Sequence, residues 1–240
     1  MIPIGEAGEP LPIFPFAVYA LIAINVVVFL HELSLGQTCG STCMEAFVSG
    51  YGAVPYDISH GLTVVGAPQP IYLTLVSSLF IHAGWLHIIG NMLYLFVFGP
   101  EVEYLTGSLR FVAFYLAAGI IGGLVEVFAA PGSHIPTVGA SGAIAGVLGA
   151  YLVTYPTRSI KTIVPIGCFP LFLRLPAVVV IGLWAALQFL HAGTLTTRTL
   201  SDQGGIGYFA HIGGFVSGLV LIALFRVRRA RGTRRFRYHF

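Results

Sequence analysis

The sequence predicts an all-α, polytopic membrane protein, and three observations carry that prediction. Of its 240 residues, 56% are hydrophobic and only 9% charged, with a mean hydropathy of +0.88. Soluble domains carry about 25% charged residues. The apolar residues fall into long runs separated by proline, glycine and polar loops, and the length accommodates roughly six spans of ~20 residues in one domain. The basic residues are also unevenly spread. Seven of the twelve lie between Arg226 and Arg237, at the end of the chain. That tail reads as an anchor to an anionic membrane surface, with nucleic-acid binding the weaker reading.

The spans follow in order. Residues 1–14 form an N-terminal segment with Glu6 and Glu9 and no lysine or arginine. That is not the basic start of a signal peptide, so the first apolar segment is expected to be retained. Span one is Pro15 to His31. A long loop from Glu32 to Pro70 has no lysine or arginine, and its length predicts short surface helices. Cys39 and Cys43 share this loop, and sequence leaves open whether they pair. Span two runs from Gly84 to Phe98 and is expected to end at Gly99-Pro100. Span three covers Phe111 to Ala129, stopped by Pro131-Gly132, and span four covers Ser141 to Tyr155. The segment Thr157 to Arg174 is apolar in its middle but broken by Pro165, Gly167 and Pro170, which predicts a loop touching the membrane surface. Span five covers Pro176 to Leu190 and span six Gly207 to Phe225. The membrane domain is thus residues 15–226, and residues 227–240 are a basic tail.

Orientation follows from lysine and arginine. The loops after spans two and four, with the tail, hold eleven of the twelve, while the remaining loops hold only Arg198. Both termini are therefore expected on the cytoplasmic side of a multi-pass cell-membrane protein. Spans two, four and six then start at the outer face and run inward.

Polar groups inside hydrocarbon are costly and point to function. They are His87 and Asn91 in span two, Glu126 in span three, Ser141 in span four, Gln188 in span five and His211 in span six. Ser141, His211, His87 and Asn91 all fall in the first turns of inward-running spans, so they share one depth in the outer leaflet. Span four is about 22 Å long against a hydrocarbon core of ~30 Å. Its start and the preceding loop must therefore lie below the surface. Non-helical backbone is tolerated there only inside protein or beside a water cavity.

Each residue alone has a bland reading. Gly-Ala-Ser-Gly packs helices, a lone histidine can relay ions, and an asparagine glues helices together. Collected at one depth they make a site. A serine needs a base to become a nucleophile, and His211 is the candidate. Gly214 and Gly218 share one face of span six; span four has Ser141, Ala145 and Gly149 on one face and Gly142 and Gly146 on the adjacent one, so two such small-residue helices can approach closely. No aspartate lies in a span to orient the imidazole, so a dyad is expected. His87 and Asn91, four apart on one face, together with the Ser141 N–H at the helix start, are candidate donors to an oxyanion. Glu126 has no visible partner and stays outside the site. His82 is expected at the interface or pocket rim, Trp85 as an interfacial anchor, and Glu101 and Glu103 in structural roles.

Phe80-Ile-His82-Ala-Gly-Trp85-Leu-His87-Ile-Ile-Gly-Asn91, then Gly99-Pro-Glu-Val-Glu103, then Gly139-Ala-Ser141-Gly-Ala, then Ala210-His211-Ile-Gly-Gly214 resemble, in order and spacing, the rhomboid intramembrane serine proteases. The resemblance covers about Phe80 to Gly218. It implies a six-transmembrane-helix rhomboid-like bundle with Ser141 as nucleophile and His211 as general base and acid. It also implies His87 and Asn91 as oxyanion stabilisers, and span five with its adjoining loop as the lateral way in for substrate.

Two features depart from the family pattern. Many members carry an aromatic four residues after the serine, beneath the histidine; here it is Ala145, and Tyr208 or Phe209 is the candidate support. The first-loop Trp-Arg pair is replaced by Ile71-Tyr72-Leu73-Thr74.

The expected function is cleavage of transmembrane segments of other membrane proteins, in the lipid bilayer, with no cofactor, no metal and no nucleic acid. The alternatives are a catalytically silent binder of membrane proteins on the same scaffold and a small transporter using His87, His211 and Glu126 as a proton relay. The latter lacks support from any internal repeat.

Overall fold

The structure is a computed structural model that describes residues 1–8, 11–166, 169–195 and 207–228. A short strand, β1 (Ile2–Glu6), precedes the long helix α1 (Phe16–Cys39). Gly40 turns the chain at φ 74° into α2 (Ser41–Tyr51), followed by α3 (Pro55–His60). Two 3₁₀ turns, Ile71–Leu73 and Ser78–Phe80, flank α4 (Thr74–Ser77). The first loop therefore has the short helices its length called for. Cys39 and Cys43 form a disulfide between the end of α1 and the start of α2.

The helices α5 (Trp85–Thr106), α6 (Ser108–Ala129) and α7 (Ser141–Thr154) follow. Then come the strands β2 (Ser159–Ile166) and β3 (Phe169–Pro176), and the helices α8 (Ala177–Leu195) and α9 (Tyr208–Phe225). The architecture is thus mostly helical, with one small antiparallel sheet in the order β1-β2-β3.

Among the described residues, α1, α6 and α9 are each long and apolar enough to cross a membrane. A fourth crossing results if the segment Ile71–Phe80 and α5, bent by 84° at their break, are one span. α7, and α8 over Ala177–Gly193, are apolar but shorter. At 14 residues, α7 is only about 21 Å long. It is nonetheless the central rod: ten of its fourteen residues are buried, from Gly142 through Tyr151. The core around it is built from Leu95, Phe98, Phe111, Phe114, Tyr115, Leu148 and Tyr151, all fully buried.

Two sequence expectations are corrected. First, α5 does not stop at Gly99-Pro100 but continues to Thr106. A proline removes one helical hydrogen bond, and here tertiary partners outweigh that loss. Gly99 lies against Val18 so closely that a Cβ would meet it at 2.8 Å. One turn on, the Glu103 carboxylate accepts the backbone N–H groups of Ala17 and Val18 at 3.0 and 2.8 Å. These are first-turn donors of α1 with no partner inside their own helix.

Second, Thr157 to Arg174 is not a surface loop but a β-hairpin, paired in register from Ser159↔Pro176 to Ile166↔Phe169. Its prolines sit opposite one another near the turn, Pro165↔Pro170, where a missing N–H costs the ladder little. Alternation explains the strand: Ile160 and Thr162 are buried while Lys161 is exposed. Residues 2–6 complete the sheet, with Glu6 opposite Ile160. Beyond residue 228 the basic tail lies outside the described residues, as do Arg198 and most of its loop.

A polar cluster closes this end of the bundle. Arg158 pairs with Glu101 at 2.6 Å and with Glu6, and the Tyr151 hydroxyl donates to Glu6 at 3.0 Å. Burial works against the Arg158 charge, but the two carboxylates outweigh it and hold its pKa above the ordinary guanidinium value. Glu101 and Glu103 thus have the structural roles expected. Replacing Arg158 by Gln leaves carboxylates buried without their cation, a class of change that costs about 3–5 kcal/mol. The variant is expected to unfold at clearly lower temperature in detergent; an unchanged midpoint would show the cluster to be dispensable.

Candidate active site

Ser141 is the first residue of α7. The chain reaches it through Gly139 at φ 117°, a backbone conformation that suits glycine. A Cβ at Gly139 would also meet the His87 ring at 2.6 Å. The approach to α7 is tied down by backbone bonds. Ala53 and Thr137 exchange N–H···O bonds at 3.1 and 2.9 Å, and the Gly139 N–H donates to Ser78 at 2.8 Å. The non-helical backbone before Ser141 is therefore paired within protein.

His211 is brought in by the contact between α7 and α9. A Cβ on Gly214 would overlap the Gly142 carbonyl, and one on Gly218 would overlap the Gly146 carbonyl. The two helices thus meet backbone to backbone. With Gly214 on Gly142, the residue one turn earlier on α9 falls beside the residue just before Gly142. The outcome is a hydrogen bond of 2.7 Å between His211 Nε2 and Ser141 Oγ.

On the other side of Gly139 stand His87 and Asn91, one turn apart on α5. The Ala83 N–H lies 3.4 Å from His87 Nδ1. A backbone N–H can only donate, so Nδ1 accepts and the neutral ring carries its hydrogen on Nε2, which with Cε1 forms the side of the ring nearest Gly139. Asn91 Nδ2 is buried without a hydrogen-bond partner among the described residues. His82 is buried rather than at a rim; its ring packs edge-on to that of His87 at 5.1 Å. The His82 backbone N–H donates to the fully buried Glu32 carboxylate at 3.2 and 3.3 Å.

All four sequence-predicted residues, Ser141, His211, His87 and Asn91, line one cavity of about 720 Å³. Its other walls include Tyr94 on α5, Leu148 on α7 and Trp184 on α8, so it extends along the gap between α5 and α8. Chemically, this is a hydroxyl against an imidazole nitrogen, facing nitrogen donors across a mostly apolar chamber.

A rhomboid domain model matches residues 70–228, well over half of the chain. The chain belongs to the rhomboid family. Similar relatives include the rhomboid protease GluP of Bacillus subtilis, 35% identical over 139 residues, covering 58% of this chain and 24% of the relative. RHOMBOID-like protein 5 of Arabidopsis thaliana is 31% identical over 147 residues, covering 61% and 42%. The mitochondrial Rhomboid protein 1 of Saccharomyces cerevisiae is 29% identical over 209 residues, covering 85% and 51%. The chain therefore spans from about a quarter to about half the length of these relatives.

Within the rhomboid pattern, Ala145 is fully buried, and the His211 ring is supported from elsewhere. Tyr208 meets it edge-on at 6.3 Å, and Trp184 lies 5.9 Å away. Gln188 Oε1 is 2.7 Å from His211 Nδ1. Trp184 and Gln188 are four apart on α8, a spacing that puts both on one face. That pair was the signal available in the sequence.

Glu126, which had no partner in sequence, accepts the Ala210 N–H at 2.9 Å. It thereby caps the start of α9 one residue before His211. Glu126→Ala removes this cap at a cost of about 1 kcal/mol, and is expected to lower both the unfolding midpoint and any activity at Ser141. Glu126→Gln, which keeps an acceptor, is expected to recover most of both.

Proposed function

We propose that this rhomboid chain is an intramembrane serine endopeptidase that cuts transmembrane segments of other membrane proteins near their outer ends. The observation that carries the reading is the 2.7 Å contact between Ser141 Oγ and His211 Nε2, opening on the cavity between α5 and α8. Ser141 attacks the scissile carbonyl carbon while its proton passes to His211 Nε2. Charge collects on the carbonyl oxygen, where the His87 Nε2–H, the Asn91 amide and the Ser141 N–H are available as donors. His211 then gives the proton to the leaving amine nitrogen. Water, deprotonated in turn by His211, hydrolyses the acyl-enzyme.

A helical substrate hides its carbonyls in hydrogen bonds, so cleavable segments carry helix-breaking residues near the cut. The cavity is large enough for a locally unwound segment, and its lining is mostly apolar. In a cell membrane, residues 2–6 in the sheet and residues 227 and 228 at Leu105 would face the cytoplasm, in line with the distribution of lysine and arginine.

The test is cleavage of a model transmembrane substrate by the purified protein in liposomes, beside Ser141→Ala and His211→Ala. Wild type is expected to cleave, and the two variants to fall at least ~10²-fold, the usual contribution of a general base. Asn91→Ala is expected to fall roughly 10²-fold, as for loss of one oxyanion donor. A fluorophosphonate is expected to label Ser141 in wild type only. Equal cleavage by all four proteins would overturn the assignment of Ser141 and His211, and an unlabelled wild type that binds substrate without cutting would overturn it in favour of a binder.

A further inference from the structure

The Ser141–His211 contact extends one residue further, onto α8. The Gln188 amide has two ends, and its surroundings decide which faces where. Nε2 lies 3.4 Å from the Trp184 carbonyl oxygen. A carbonyl only accepts, so the amide nitrogen belongs on that side. The amide oxygen then faces His211 Nδ1, at 2.7 Å. An amide oxygen also only accepts, so Nδ1 must carry a hydrogen. A neutral imidazole with hydrogen on Nδ1 has its lone pair on Nε2, the nitrogen 2.7 Å from Ser141 Oγ. The sequence of donors and acceptors is thus fixed from one end by a main-chain carbonyl.

We infer that Gln188 is a positioning residue for His211, holding the imidazole in the tautomer that can take a proton from Ser141 and supporting the imidazolium once it forms. This rests on the proposed protease reading and adds a third member to the expected dyad. The other groups around the ring do not fill that role. Trp184 and Tyr208 present ring surfaces to it, and Ser141 occupies the opposite nitrogen.

As the Ser141 Oγ–carbon bond forms, the hydroxyl proton moves to Nε2 and the ring becomes a cation with two N–H groups. The Nδ1–H···Oε1 bond then becomes charge-assisted, which roughly doubles its strength. The proton leaves again from Nε2 to the amine nitrogen as the peptide C–N bond breaks, and Gln188 exchanges no proton at any stage. An amide also avoids burying a permanent charge at membrane depth.

The test compares wild type with Gln188→Leu, Gln188→Met and Gln188→Glu in liposomes. Four quantities are measured: kcat, KM, the rate of fluorophosphonate labelling at Ser141, and the thermal unfolding midpoint. The Leu and Met variants keep bulk but lose the acceptor. They are expected to lose about 10- to 100-fold in kcat and in labelling rate, the range for a hydrogen bond to a charged group, with KM within about twofold. Gln188→Glu keeps an acceptor in either ionisation state and is expected to recover most of both rates.

Nitrogen-15 spectra of histidine-labelled protein, assigned by difference from His211→Ala, are expected to show His211 protonated at Nδ1 in wild type and a mixture of tautomers in the Leu variant. If Leu proves unstable, Met and the spectrum decide. Wild-type rates in Leu and Met, or a Glu variant as slow as both, would overturn the role of Gln188 while leaving the protease reading intact. A wild type that neither cleaves nor labels would sink the protease reading, and the spectrum would still report the tautomer.

Discussion

The bundle depends on one contact, the backbone-to-backbone meeting of α7 and α9. Any side chain at Gly214 or Gly218 would run into a carbonyl of α7, so the separation of the two helices is set by main chain alone. That makes the distance between the serine and the histidine a property of the backbone rather than of adaptable side chains. In hydrocarbon no hydrophobic force drives helices together, and close packing of small residues supplies the attraction instead. The same glycines that hold the fold therefore hold Ser141 Oγ and His211 Nε2 within hydrogen-bond range.

The two ends of the molecule are built differently. At the end bearing the sheet, carboxylates do the fastening: Glu103 on the α1 donors, and Glu101 and Glu6 on Arg158. At the end bearing Ser141, the fastening is by main-chain bonds in the loops and by single carboxylates, Glu32 and Glu126, on backbone N–H groups. Between them α5 and α8 stand apart enough to leave the cavity. The frame is thus fastened by carboxylates at one end and leaves a cavity beside Ser141 and His211 at the other.

Much of this was legible in the sequence, for a physical reason. Charge asymmetry orders the spans, and order places Ser141, His211, His87 and Asn91 at one depth; all four line one cavity. Gln188 was visible as a polar residue, but its direction was not. α8 is apolar nearly all round, so periodicity cannot tell which face meets α9. The partner of Glu126 was hidden because it is a backbone N–H, which leaves no mark in composition. The hairpin was misread because its prolines look like breaks until their pairing at the turn is known. The end of α5 was misplaced because the sequence shows the lost hydrogen bond at Pro100 and not the α1 donors that Glu103 satisfies. Tyr208 was anticipated as a support of the histidine ring; Trp184 was not.

The pairing of β1 with β2 has a consequence for the order in which the protein is made. Residues 2–6 are made well before their partners, residues 160–163, and before Arg158, the cation for Glu6. Chains emerge at about 5–20 residues per second, so the first strand waits through the synthesis of α1 to α7 before its partner strand exists. Its docking is a late act that joins an earlier stretch of the nascent chain to one made about 150 residues later. The sheet thus works as a clasp that can shut only after the central rod has been made.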